Sequence, residues 1–150
     1  MIASPSRVEQ LTFASQVLEE NPLGDPSTRA VAVYLPTGHD DHADLRYPVV
    51  YLLSSHGGTG PSLMNWRPWD VTIKSQIDAL IDSGQMAPAI VVLPDMWTRF
   101  GGSQYINSAG MGRYEDYLVR EIVPLVDRSY RTIPDRDHRG IMGRSSGGFG

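Results

Sequence analysis

The residues Gly143-Arg144-Ser145-Ser146-Gly147 have the spacing G-x-S-x-G, in which a serine hydroxyl can act as a nucleophile. The chemistry explains the small neighbours. Such a serine sits on a sharp, strained turn between a strand and a helix, where bulky side chains would clash. Its hydroxyl then projects toward a substrate carbonyl and a base. The N–H of Ser146, at the start of the new helix, points at a developing oxyanion, and the helix dipole adds in the same direction. A chance match is expected in roughly one chain in seven of this length and composition, so context decides. His138 to Gly143 (HRGIMG) is expected to be a short strand running into the turn, and Ser146-Gly147-Gly148 supplies the small residues that open a helix. A glycine-rich turn serving close packing is the alternative. A phosphate loop is disfavoured, because no Lys follows and the G-x-G-x-x-G spacing is absent.

Ser54-Ser55-His56-Gly57-Gly58-Thr59-Gly60 follows the apolar run PVVYLL directly. A loop of the H-G-G type in this place supplies a second oxyanion donor, and glycines let its backbone approach the substrate. Gly58 N–H is the expected donor, with Gly57 and Thr59 as neighbours. His56 is expected to orient this loop on the substrate side and not to serve as the base. Trp66, Trp69, Trp97, Phe100, Tyr105 and Asn107 fall in two loops above the strand ends, as candidates for an acyl or aryl pocket. Trp97, directly after Pro94-Asp95, stands first among them, and Tyr105 joins it and His56 as a substrate-binding residue. Asp95 is read as structural or substrate-facing.

The elements that must position these residues alternate strand and helix. Val8 to Leu18 is expected to be an extended strand, ended by the turn Asn21-Pro22-Leu23-Gly24-Asp25-Pro26. Arg29 to Leu35 should pair with it as a hairpin-like unit. Pro48 to Leu53 and Ala89 to Leu93 are nearly continuous apolar runs, as strands buried on both faces require. Between them, Asp70 to Ser83 carries Ile73, Ile77, Leu80 and Ile81 at helical spacing, with Gly84 as a stop. After the long loop Met96 to Gly110, Arg113 to Tyr130 forms a second helix that Pro124 should kink. This order implies an α/β fold with a mostly parallel sheet and helices on both faces. Chemistry in such sheets sits at the carboxyl ends of the strands, where each motif falls.

Composition excludes some classes. The 150 residues carry 13 basic and 17 acidic side chains, a net charge of −4. This balance and the absence of a Lys/Arg run argue against nucleic acid as a partner. Without cysteine there is no disulfide, thiolate metal site or cysteine nucleophile. The start, Met1-Ile2-Ala3-Ser4-Pro5-Ser6, does not read as a signal peptide, and no window approaches the ~20 apolar residues that span a membrane. The expectation is a cytoplasmic protein that needs no membrane, metal or organic cofactor.

NPLGDP (21–26), VYLP (33–36), YPVVYLL (47–53), HGGTG (56–60), VVLPD (91–95), GRYEDYLVREIVPLVDRSYRT (112–132) and DRDHRGIMGRSSGGFG (135–150) together resemble the putative-esterase family of α/β hydrolases. This family includes esterase D (S-formylglutathione hydrolase), enterochelin esterases, feruloyl esterases and mycolyltransferases. The resemblance covers essentially all 150 residues. It implies an α/β-hydrolase fold and a triad in the chain order Ser, Asp or Glu, His. Only the serine carries over, onto Ser145; the family's oxyanion positions match Gly58 and Ser146. Ser54-Ser55 makes the first loop longer than in several relatives. The acid and histidine of this fold come later than residue 150, and His39, His42, His56 and His138 offer no good base. The expectation is therefore the N-terminal part of a single α/β-hydrolase domain, inactive alone, with central strands left uncovered on one side. The expected reaction is hydrolysis of a small-molecule carboxylic ester through an acyl-enzyme on Ser145. Acyl transfer to an alcohol, or a non-catalytic binding relative, are the alternatives; product analysis with a competing alcohol and labelling by a fluorophosphonate separate them.

Overall fold

The computed structural model describes residues 2–64 and 69–150. Trp66, one of the pocket candidates, lies outside the described residues. A five-stranded sheet runs in the order β1 (Arg7–Ala14), β2 (Thr28–Leu35), β4 (Ile90–Pro94), β3 (Val49–Leu53) and β7 (Arg139–Gly143). β1 and β2 pair antiparallel from Arg7↔Leu35 to Ala14↔Thr28, as the expected hairpin unit. β2 also lies antiparallel to β4, whereas β3 is parallel to both β4 and β7. β1, β4, β3 and β7 therefore run in one direction and β2 alone against them, so the sheet is mixed by one reversed strand and otherwise parallel, as expected.

Alternation along the strands divides the core in two. Val31, Val33, Val49, Tyr51, Ile90 and Val92 face one side, against Tyr114, Tyr117, Leu118, Ile122 and Val126. Ala32, Tyr34, Val91 and Leu93 face the other, against Ile77 of α1 (Ile73–Asp82). Helices thus cover both faces, as expected. α1 begins three residues later than Asp70, because the Thr72 side chain caps it by accepting the Ser75 N–H. Gly84 ends this stretch with φ +71°.

The second helix is one helical run of three parts: α2 (Tyr114–Asp116), a π-helical turn (Tyr117–Ile122) and α3 (Val123–Ser129). The defect expected at Pro124 takes the form of this wider turn. Pro124 lacks an N–H, and its ring crowds the carbonyl four residues back. The Val123 N–H reaches the Leu118 carbonyl, one residue beyond the α-helical partner.

The strand expected over Val8 to Leu18 stops at Ala14. There the Glu121 carboxylate, on the π-helical turn, accepts the Gln16 and Val17 N–H groups (2.8 and 3.1 Å) and the Ser15 hydroxyl. Ser15 Oγ in turn accepts the Leu18 N–H at 3.0 Å. These bonds fold 15–18 into a turn that local periodicity cannot reveal. A two-stranded ribbon, β5 (Asn107–Ser108) with β6 (Gly112–Arg113), closes the long loop after β4, and α4 (Ser146–Phe149) follows β7. No helix among the described residues is long and apolar enough to cross a membrane.

Candidate active site

β7 ends at Gly143, α4 begins at Ser146, and Ser145 makes the turn between them with φ +56° and ψ −118°. This conformation is rare for a residue with a side chain and costs about 1–3 kcal/mol. Packing holds it. A Cβ on Gly143 would lie 2.5 Å from the Gly147 carbonyl carbon. A Cβ on Gly147 would lie 2.7 Å from the Leu53 carbonyl carbon and 2.8 Å from the Ser54 oxygen. Only glycine lets the turn close on itself and on the exit of β3. Ser145 is exposed, and its side chain makes no capping bond to the helix it precedes.

The loop after β3 reaches the same place, because β3 is the parallel neighbour of β7. Its backbone is closely tied. The Gly57 N–H donates to the Gly101 carbonyl (2.7 Å), the Gly58 N–H to the Ser55 carbonyl (3.0 Å), and the Thr59 N–H to Ser62 Oγ (2.9 Å). The Gly58 donor is thus engaged in a local turn, so an oxyanion there must share or displace the Ser55 carbonyl. The His56 ring is exposed and lies over Gly101 and Gly102, where an added Cβ would meet it at 2.6 and 3.3 Å. His56 thereby docks this loop on the one after β4.

The loop after β4 is anchored from β2 and from the turn that precedes it. Arg29, 3% exposed, donates to the Trp97 carbonyl (2.9 Å) and the Tyr114 hydroxyl (2.8 Å), and lies 3.6 Å from Asp95. Asp95 also accepts the Trp97 N–H at 3.1 Å, which fits its structural reading. Buried Asp25 accepts the Arg99 N–H and Nε, and the Asn21 side chain braces Asp25 from the turn before it. Sequence reading missed Arg29, because it stands inside a strand pattern whose other members are apolar.

Trp97 is 37% exposed and Phe100 63% exposed at this exit. Tyr105 is buried, and its hydroxyl donates to the Ser54 carbonyl at 2.7 Å. Burial pushes this phenol above its ordinary value in spite of the Ser54 contacts. It therefore stays protonated at neutral pH and serves as a strut under β3. Asn107 accepts the Asp116 N–H at 3.1 Å and so caps the second helix. Ser146, buried, donates its hydroxyl to the Gln104 side-chain oxygen at 2.8 Å. A cleft of about 400 Å³ opens beside the turn, lined by Ser54, Ser55, Gly58, Asp70, Gln76 and Arg144, among others. His56, Trp97 and Tyr105 stand outside its lining.

Three histidines have other surroundings. His39 stacks on Tyr47 and lies against Asp40 and Arg131, His138 pairs with Asp135 at 2.7 Å, and His42 is exposed in the loop before β3.

Residues 26–150 match the sequence model of the family described as Putative esterase. Endo-1,4-beta-xylanase Y of Acetivibrio thermocellus is 30% identical over 91% of this chain and 12% of its own length. An endo-1,4-beta-xylanase/feruloyl esterase of Xylanibacter ruminicola is 30% identical over 95% of this chain and 18% of its own. The solved structure of a ferulic acid esterase superposes with a TM-score of 0.71 at 29% identity, covering 93% of this chain and 49% of that one. The chain thus spans about half the length of that structure and less than a fifth of the two curated relatives.

Proposed function

Since the chain belongs to the Putative esterase family of α/β hydrolases, we propose that it carries the nucleophile and oxyanion half of a serine carboxylic ester hydrolase. The observation that carries this reading is Ser145 at φ +56° on a glycine-walled strand-to-helix turn, beside the exit of β3. Ser145 Oγ attacks the ester carbonyl, and the Ser146 N–H, with Gly58 once its turn relaxes, stabilises the oxyanion. The alcohol leaves, and water then releases the acyl group. The proton of Ser145 passes to a histidine, oriented by an acid, from outside these 150 residues. Without that base the serine is a poor nucleophile at neutral pH.

The finer reading is an aromatic acyl ester. The names of the relatives support it, as do the exposed faces of Trp97 and Phe100 above the strand ends. The cleft beside Arg144 then takes the alcohol.

The test is hydrolysis of methyl ferulate and methyl acetate, which share one leaving group, by the full-length enzyme and its Ser145→Ala variant. The variant is expected to lose a factor of about 10⁴ or more in kcat. Retained hydrolysis refutes the nucleophile, and preference for the acetate refutes the aromatic acyl group.

A further inference from the structure

Two consecutive residues with side chains, Gln104 and Tyr105, hold left-handed backbone angles, φ +56° and +61°. Such a pair persists only where its surroundings fix it, and it concentrates at sites whose geometry matters. Tyr105 is fixed by its hydroxyl on Ser54 and by its N–H on Ser103 Oγ at 3.2 Å. Among the described residues the Gln104 side chain makes one polar contact, the 2.8 Å bond from Ser146 Oγ. Ser146 directly follows the nucleophile and is the first residue of α4. Gly147 seats this helix against the Leu53 carbonyl, and the Gln104 contact ties it to the loop after β4.

We propose that Gln104 is a positioning residue for the oxyanion donor: its carboxamide holds the Ser146 side chain and so sets the aim of the Ser146 N–H. This rests on the assignment of Ser145 as nucleophile. A donor works only when it points at the place the oxyanion will occupy, and the Gln104 carboxamide restrains the one residue that carries this donor. The tie also makes the strained backbone at 104 intelligible, because it delivers a side chain from a separate loop to the residue after the nucleophile.

A double-mutant cycle in the full-length enzyme tests this, with p-nitrophenyl acetate as substrate. Gln104→Met keeps length and bulk but removes the amide, and Ser146→Ala removes the hydroxyl. Each is expected to lower kcat roughly tenfold with KM changed less than about twofold. Affinity for a trifluoromethyl ketone, which mimics the tetrahedral state, should fall by the same factor, and the double variant should be no worse than either single one. Melting temperatures within about 3 °C of wild type separate loss of aim from loss of fold. A Gln104→Met enzyme with unchanged kcat overturns the proposal, and so does a double variant whose loss is the product of the single losses. Should Gln104→Met fail to fold, unchanged kcat in Ser146→Ala overturns it. Wild-type enzyme without hydrolysis dependent on Ser145 would instead refute the nucleophile, and the positioning role with it.

Discussion

One methyl group added at Gly147 would collide with the carbonyl of Leu53, and both partners are backbone, which cannot swing aside. Gly57 offers the contrast: among the described residues an added Cβ meets nothing within 4 Å there, and the cost that remains is its φ of +78°. Gly147→Ala is therefore expected to cost about 3 kcal/mol and Gly57→Ala about 1 kcal/mol, read from urea unfolding midpoints. Equal losses would show that the packing of α4 on β3 is looser than described. The two glycines look alike in the sequence. The G-x-S-x-G spacing marked Gly147, but no pattern could rank the two, because the atom that forbids a side chain belongs to Leu53. Arg29 was hidden for a related reason. Its partners, the Trp97 carbonyl, Asp95 and Tyr114, are remote in sequence.

At the scale of elements, α1 is joined to the sheet by a small polar cluster. Asp78 accepts from the Tyr34 hydroxyl on β2 and from Lys74, each at 2.7 Å, and Lys74 also donates to Ser6 at 2.6 Å. Burial pushes the Asp78 carboxyl up, but hydrogen bonds from Lys74, Ser6 and Tyr34 and the charge of Lys74 outweigh it and hold the carboxyl below its ordinary 3.8. A carboxyl depressed in the folded state stabilises the fold fully above its unfolded value, and that contribution disappears as pH falls through the folded value. Asp78→Asn should therefore be less stable than wild type at pH 7, with the difference shrinking as pH falls through and below the ordinary carboxylate range. A gap that does not change with pH would mean that the cluster acts through packing alone. The apolar stripe of α1 was legible in the sequence because Ile73, Ile77 and Ile81 repeat at helical spacing. The end of β1 was not, because the carboxylate that stops it, Glu121, comes more than a hundred residues later. The helix that bears Glu121 was legible as a helix with a fault at Pro124. That the fault widens into a π-helical turn depends on which carbonyl the Val123 N–H finds.

Within these 150 residues taken as one molecule, β7 is the outer strand of the sheet, and its Ile141 and Met142 are 60% and 59% exposed. An edge strand with bare apolar side chains on both faces is a template for another strand. The 150-residue chain is expected to associate as its concentration rises, and Ile141→Lys should reduce this with little effect on the unfolding midpoint. Size-exclusion chromatography with light scattering measures it; association unaffected by Ile141→Lys would place the sticky surface elsewhere. The strand–helix order was readable from apolar runs and turn residues. The antiparallel pairing of β2 with β4 was not, because pairing direction follows from the path of the whole chain.

The register of β7 on β3 has a consequence for timing. Val49 pairs with Arg139 and Leu53 with Gly143, so the strand that leads to Ser145 finds its place only against a partner made long before it. Contacts between distant parts of a chain form late, because a large loop must close first. During synthesis on the ribosome, Ser145 is thus an ordinary serine on a slack segment. It acquires its strained, outward-facing form only when β7 zips along β3 and Gly147 seats on Leu53. The fold in this way withholds that backbone geometry from the nascent chain until β3 and β7 have paired.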